Sequence, residues 1–177
     1  MAMTLLLGGA ASGKSRTAAA LAARTDLAVT VIATAEALDE EMTARIERHR
    51  RERPAGWAVI EEPLDLTGAV ERARGATIVD CLTLWVSNLL GSELGEEEVV
   101  GRAAAAAKAC VARAEPTIVV SNEVGSGIVP MNPLARSYRD VLGRVNATFA
   151  DEADVVALMV AGRAVRLSTM LTDREER

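Results

Sequence analysis

Short apolar runs rich in β-branched residues alternate along the chain with longer stretches in which apolar side chains return every three or four positions. The runs at 3–7, 28–33, 57–61, 77–79, 117–121 and 155–160 predict strands. Most lack the polar and apolar alternation of a half-exposed sheet, which suits parallel strands buried on both faces by crossover helices. The periodic stretches at 14–24, 39–51, 64–74, 82–90, 96–114 and 134–151 predict those helices. This alternation of element types points to an α/β, doubly wound layer structure with a mostly parallel sheet. Segment 161–167 opens on a glycine turn and then alternates, so it is expected to hairpin back as an antiparallel edge strand. Residues 1–167 read as a single domain and 168–177 as a polar tail, with no repeat and no linker rich in Pro, Gly or Ser.

Composition narrows the picture. With 177 residues, half of them apolar, the chain can build a sizeable core. A formal charge of −5 leaves no electrostatic footprint for a long nucleic acid, so any nucleotide ligand is expected to be small. Neither Cys81 nor Cys110 has a partner at a metal-ligand spacing, which argues against a zinc or disulfide framework. The start runs directly into a glycine loop without a basic leader or a small-residue cleavage site, and no stretch is long enough to span a bilayer. A cytoplasmic protein of bacterial type, with no membrane segment, is expected.

The segment Gly8-Gly9-Ala10-Ala11-Ser12-Gly13-Lys14-Ser15 fits G-x-x-x-x-G-K-[ST] and lies between an expected strand and an expected helix. Its glycines let several backbone N–H groups face one anion, the helix N-terminus adds partial positive charge, and Lys14 adds a full one. Ser15 supplies a hydroxyl for Mg²⁺. Four fixed positions match by chance at about one site in tens of thousands. The fold class is therefore α/β of the P-loop (RecA-like) type, in three layers. At the end of the fourth expected strand stands Asp80, either a second Mg²⁺ ligand of the P-loop kind or an ordinary cap for the next helix.

His49 is the sole histidine, set among Arg48, Arg50, Arg51 and Arg53 just before Pro54. Those cations could simply complement a helix dipole on a solvated surface. However, Leu38, Met42 and Ile46 form a stripe at helical spacing that His49 continues, placing it on the inward face. An imidazole there, flanked by guanidiniums that can hold phosphates, is suited to attack phosphorus. Asn122 and Glu123 end the fifth expected strand, where ligands of α/β proteins collect. They serve either substrate binding or a tight packing loop.

Taken in order, the phosphate loop, Ile32-Ala33-Thr34-Ala35, Asp39-Glu40-Glu41-Met42, Arg45-Ile46, His49-Arg50, Arg53-Pro54 with Trp57, Asp80-Cys81-Leu82-Thr83, Asn88-Leu89-Leu90, Asn122-Glu123-Val124-Gly125-Ser126-Gly127-Ile128-Val129-Pro130 and Gly143-Arg144-Val145-Asn146 carry a resemblance over nearly the whole chain. The chain resembles the bifunctional adenosylcobinamide kinase and adenosylcobinamide-phosphate guanylyltransferase family of cobalamin biosynthesis. The resemblance implies phosphorylation of the aminopropanol hydroxyl of adenosylcobinamide by ATP or GTP. It then implies transfer of GMP from GTP, through a guanylyl group on His49, to give adenosylcobinamide-GDP.

In that family pattern His49 and Lys14 are catalytic. GTP contacts fall on Gly8 to Ser15, on Ala33, Thr34 and Ala35, on Arg50, Arg51, Glu52 and Arg53, and on Glu61 and Asp80. The pattern also implies a homotrimer. Two positions depart from it: Ala11, commonly arginine, and Arg48, a second histidine in some members. Neither removes the glycines, Lys14 or His49. A P-loop small-molecule kinase without the guanylyl step, and a nucleotide-sensing protein without turnover, remain the alternatives.

Overall fold

In the computed structural model, which describes residues 3–37 and 39–168, the chain runs β1 (Met3–Gly8), α1 (Lys14–Ala23), β2 (Val29–Ala33), α2 (Glu40–Glu52) and β3 (Ala58–Glu61). It continues through α3 (Leu66–Arg72), β4 (Ala76–Asp80), α4 (Leu82–Gly91), α5 (Glu96–Ala112) and β5 (Thr117–Val120). It closes with α6 (Pro133–Glu152), β6 (Val155–Val160) and β7 (Arg163–Leu167). Leu38 and the expected tail beyond Ser168 lie outside the described residues. All seven strands join one sheet in the order β3-β2-β4-β5-β1-β6-β7. Strands β1 to β6 pair in parallel, and β7 returns antiparallel to β6 as the expected edge hairpin. Strand β5 separates β1, which feeds the glycine loop, from β4, which ends in Asp80; this is the RecA-like arrangement.

The two sheet faces are covered unequally. One face, with Met3, Leu5, Ile32, Val79 and Val119, packs against helices α3 to α6 through Trp85, Leu89, Leu142 and Phe149. The other, with Leu6, Val31, Ile78 and Ile118, meets α1 through Ala18 and Ala22, whose small side chains let that helix lie close. The central strands β1, β2, β4 and β5 are buried on both faces, as their unbroken apolar runs require. The edge strands differ from that expectation, since β3 is largely exposed and β7 wholly so.

Helix α3 is shorter than the expected 64–74. The Asp65 carboxylate accepts from the Gly68 N–H at 3.0 Å and so caps the helix two residues late, and Ala73 leaves it in extended conformation. Arg113 then satisfies that end of the chain, donating to the carbonyls of Val70, Ala73 and Gly75 at 2.9, 2.8 and 2.7 Å. The two cysteines are unpaired. Among the described residues, no helix is long and apolar enough to cross a membrane.

Phe149 is fully buried where α6 meets the sheet. Phe149→Ala is expected to lower unfolding stability by about 3–5 kcal/mol, read from urea titrations, because the cavity adds to the lost transfer energy. A loss below about 1 kcal/mol would mean that this face is not tightly packed.

Candidate active site

Strand register brings the candidate residues to one level of the sheet. Ala33 pairs with Glu61 on one side and Asp80 on the other, and Asp80 pairs with Val120. This row lies at the carboxyl ends of the parallel strands, where the loops of an α/β fold leave a crevice.

The glycine loop leaves β1 at this edge. A Cβ on Gly8 would stand 2.4 Å from the Met159 carbonyl oxygen, so only glycine fits. Gly13 takes φ 97° at the N-cap of α1 and offers no side-chain cap, which leaves the helix N-terminal N–H groups for an anion. Lys14 is buried and curls back over the loop, donating to the carbonyls of Gly8 and Gly9 at 2.9 and 2.7 Å and to Ser12 Oγ at 3.4 Å. Behind the loop, the turn at Ala161 and Gly162 closes in, with the Gly162 N–H donating to the Ser12 carbonyl at 3.0 Å.

Helix α2 spans this cleft. Asp39 caps it by accepting from the Met42 N–H at 2.7 Å, and Pro54 after an extended Arg53 ends it. Among its described side chains none is fully buried; Met42, Ile46 and His49 form one stripe that faces the cleft rather than the core. Its C-terminal end is held by charge. His49 Nδ1 lies 3.8 Å and Arg53 Nη2 3.3 Å from the same Asp80 carboxylate oxygen, and Arg50 pairs with Glu61. Burial pushes the Asp80 carboxyl up, but His49 and Arg53 together outweigh it and hold the group below the usual carboxylate range.

Thr34 departs from its neighbours. Ala33 and Ala35 line the cleft, whereas Thr34 is fully buried and points away. Its hydroxyl donates to the Cys81 carbonyl at 2.7 Å and accepts from the Cys81 N–H at 3.0 Å, while its own carbonyl accepts from Asn88 at 2.7 Å. It clamps the strand end that carries Asp80. Asn122 also lines the cleft, steadied where Thr83 Oγ1 accepts its N–H at 2.8 Å and Asn146 donates to its carbonyl at 3.0 Å.

The cleft so formed has a volume of about 1030 Å³. Loop residues Ala10, Ala11, Ser12, Gly13, Lys14 and Ser15 line it together with His49, Arg50, Arg53, Glu61 and Asp80. Gly8 and Gly9 contribute backbone beneath it. Arg51 is exposed and does not line it, and the Glu52 side chain is outside the described residues. Glu123 also stays out, its carboxylate accepting from the Gly125 N–H. Sequence reasoning missed Arg16, Leu84, Ala161 and Gly162, which the fold brings to the cleft from other elements.

Among the described residues no cluster of three or more His, Cys, Asp or Glu could hold a metal ion alone. Ser15 and Asp80 nevertheless offer two hard oxygen donors on one cleft. Mg²⁺ commonly takes one or two protein oxygens and completes its octahedron with phosphate and water, so the pair fits that ion.

The family model described as cobinamide kinase / cobinamide phosphate guanyltransferase matches residues 4–167. A Pseudomonas aeruginosa protein named bifunctional adenosylcobalamin biosynthesis protein CobP is 44% identical over 161 residues, covering 89% of this chain and 92% of that protein. Proteins named bifunctional adenosylcobalamin biosynthesis protein CobU, from Salmonella typhimurium and Escherichia coli, are 41% and 39% identical, each covering 93% of this chain and 99% of the relative. A KaiC-like protein of Pyrococcus horikoshii is 10% identical with a TM-score of 0.49, over 88% of this chain and 69% of that one.

Because the native Asp80 carboxyl titrates below its unfolded value of 3.8, its ion pairs stabilise the fold above about pH 4. That contribution is lost as pH falls through the lower native value. Urea titrations from pH 7 to pH 3 should show wild type losing its stability advantage over Asp80→Asn on acidification. A constant difference across that range would contradict the arrangement.

Proposed function

The chain belongs to the cobinamide kinase / cobinamide phosphate guanyltransferase family, and on that premise we propose that one loop serves two successive transfers. In the first, the aminopropanol hydroxyl of adenosylcobinamide attacks the γ-phosphorus of ATP or GTP. The bond from that phosphorus to the β–γ bridging oxygen breaks, nucleoside diphosphate leaves, and the hydroxyl proton passes to solvent. Such a transfer needs positioning and charge neutralisation more than covalent help. The loop N–H groups and Lys14 supply both, Lys14 by exchanging its carbonyl partners for phosphate oxygens. Ser15 and Asp80 would hold Mg²⁺, whose charge offsets that of the phosphates.

In the second transfer His49 attacks the α-phosphorus of GTP. The single observation that carries this reading is His49 Nδ1 turned to the Asp80 carboxylate, 3.8 Å away, on the cleft that Lys14 also lines. With Nδ1 so directed, Nε2 is the attacking atom. A neutral ring that forms the N–P bond while pyrophosphate leaves becomes positively charged, and Asp80 lies where that charge develops. The same charge makes imidazole a good leaving group when an oxygen of the cobinamide phosphate attacks, the N–P bond breaks, and adenosylcobinamide-GDP forms. Arg50 and Arg53 flank the transferred phosphate. Asn122 lies on the wall available to the corrinoid, and Glu123 is left with a loop-bracing role. Homotrimeric assembly is part of the same reading, and the exposed Ile128, Met131 and Leu134 give such an assembly apolar surface to cover.

Incubation with α-labelled GTP tests the nucleophile. Wild type should acquire a stable, acid-labile label that His49→Ala does not. Wild-type protein that never takes up label, while still phosphorylating cobinamide, would leave a kinase alone.

A further inference from the structure

A second cavity, of about 410 Å³, lies against α1 and the turn that follows α2. Its volume falls within the range of small-molecule sites. It shares Ser15, Arg16, His49, Arg53 and Asp80 with the larger cleft, so the His49–Asp80–Arg53 cluster forms a partition between two chambers that both reach the loop. The walls beyond the partition are apolar: Ala19, Val31 and Ile78 from the helix and sheet, Pro54 and Trp57 from the turn. Of the residues that the family resemblance gives to GTP outside the loop, Arg53 and Asp80 belong to the partition and touch both chambers, whereas Ala33, Ala35, Arg50 and Glu61 line the larger cleft and none of these four lines the second chamber.

Trp57 is the conspicuous member. The chain holds only two tryptophans, one tyrosine and one phenylalanine. Trp85 is buried in the core with Nε1 donating to the Leu64 carbonyl, Phe149 is fully buried, and the Tyr138 hydroxyl donates to the Thr83 carbonyl. Apart from the His49 imidazole of the partition, Trp57 alone among the described residues brings an aromatic ring to either chamber. A tight turn, with its N–H donating to the Pro54 carbonyl at 3.1 Å, sets it four residues beyond Arg53 on the same segment as His49. A half-buried indole among aliphatic walls, with guanidiniums at the rim and a phosphate loop beside it, is the environment of a planar heterocycle bearing phosphates.

We propose that this chamber is a second purine seat. It takes the base of the phosphoryl donor while the triphosphate lies in the loop, with Trp57 as the ring the base packs against. The assignment rests on the reading that the loop holds a triphosphate. It leaves the larger cleft to the acceptor in the phosphoryl step, and so lets one loop present nucleotides in two orientations on opposite sides of His49.

ATP and inorganic tripolyphosphate, titrated calorimetrically into the intact protein, separate base from phosphate binding; ATP is the probe because GTP can react with His49. Trp57→Ala should weaken ATP about 5- to 150-fold, the range that losing a base–aromatic contact produces, and tripolyphosphate less than twofold. Trp57→Phe should recover most of the ATP affinity. Equal weakening of both ligands, or ATP binding that Trp57→Ala leaves unmoved, overturns the seat. Label from α-labelled GTP, measured on the same wild-type preparation, reports separately on the transfer chemistry, so a failed base seat and a failed nucleophile cannot be confused.

Discussion

A carboxylate drawn largely out of water must be met by cations or lose its charge. At the end of β4 the two groups that meet Asp80, the His49 imidazole and the Arg53 guanidinium, come from α2 and its C-cap, and the described side chains of that helix pack little of it into the core. That dependence organises the site. The sheet fixes Asp80 through its register with Ala33 and Val120, and Thr34 clamps the following residue from the adjacent strand. Asp80 in turn holds the end of α2, which sets the imidazole on the cleft that the glycine loop also lines. Remove the carboxylate and the helix keeps its cap at Asp39 and the surface pair of Arg50 with Glu61, neither of which aims His49.

The same arrangement accounts, in the proposed reading, for one loop serving two chemistries. Phosphate binding belongs to groups built into the β1–α1 connection, namely the free helix N-terminus, the glycines and Lys14. In that reading nucleophilic attack falls to a separate element, α2, which lines the same cleft. Lys14 donates to the loop carbonyls of Gly8 and Gly9, so the loop itself positions the ammonium where phosphate oxygens would be met. The turn at Gly162 braces the loop from the opposite side, giving the β6–β7 hairpin a part in the site beyond closing the sheet.

Much of this was legible in the chain itself, and the limits have physical causes. Central strands announce themselves because burial on both faces demands unbroken apolar runs, and the loop does so because its chemistry is local in sequence. The start of α3 differs from the expected one because Asp65 reads equally well as a first-turn residue or as a cap. Treating Ala33, Thr34 and Ala35 as one contact set ignored the period of two that turns Thr34 away from the cleft that its neighbours line. Glu123 and Arg51 match a motif yet face elsewhere, since a motif fixes position along the chain but not side-chain direction. The pairing of Asp80 with His49 and Arg53 spans 27 residues or more and could not be read from spacing.

The central claim is that His49, held by Asp80, carries GMP between GTP and the corrinoid. Rapid-quench mass spectrometry of the peptide containing His49 tests it most directly: protein loaded with GTP is freed of nucleotide and mixed with cobinamide phosphate. The guanylyl adduct should disappear at the rate at which cobinamide-GDP appears, with one product formed per adduct lost. Product formed while the adduct persists, or an adduct that decays only by hydrolysis, would contradict the account.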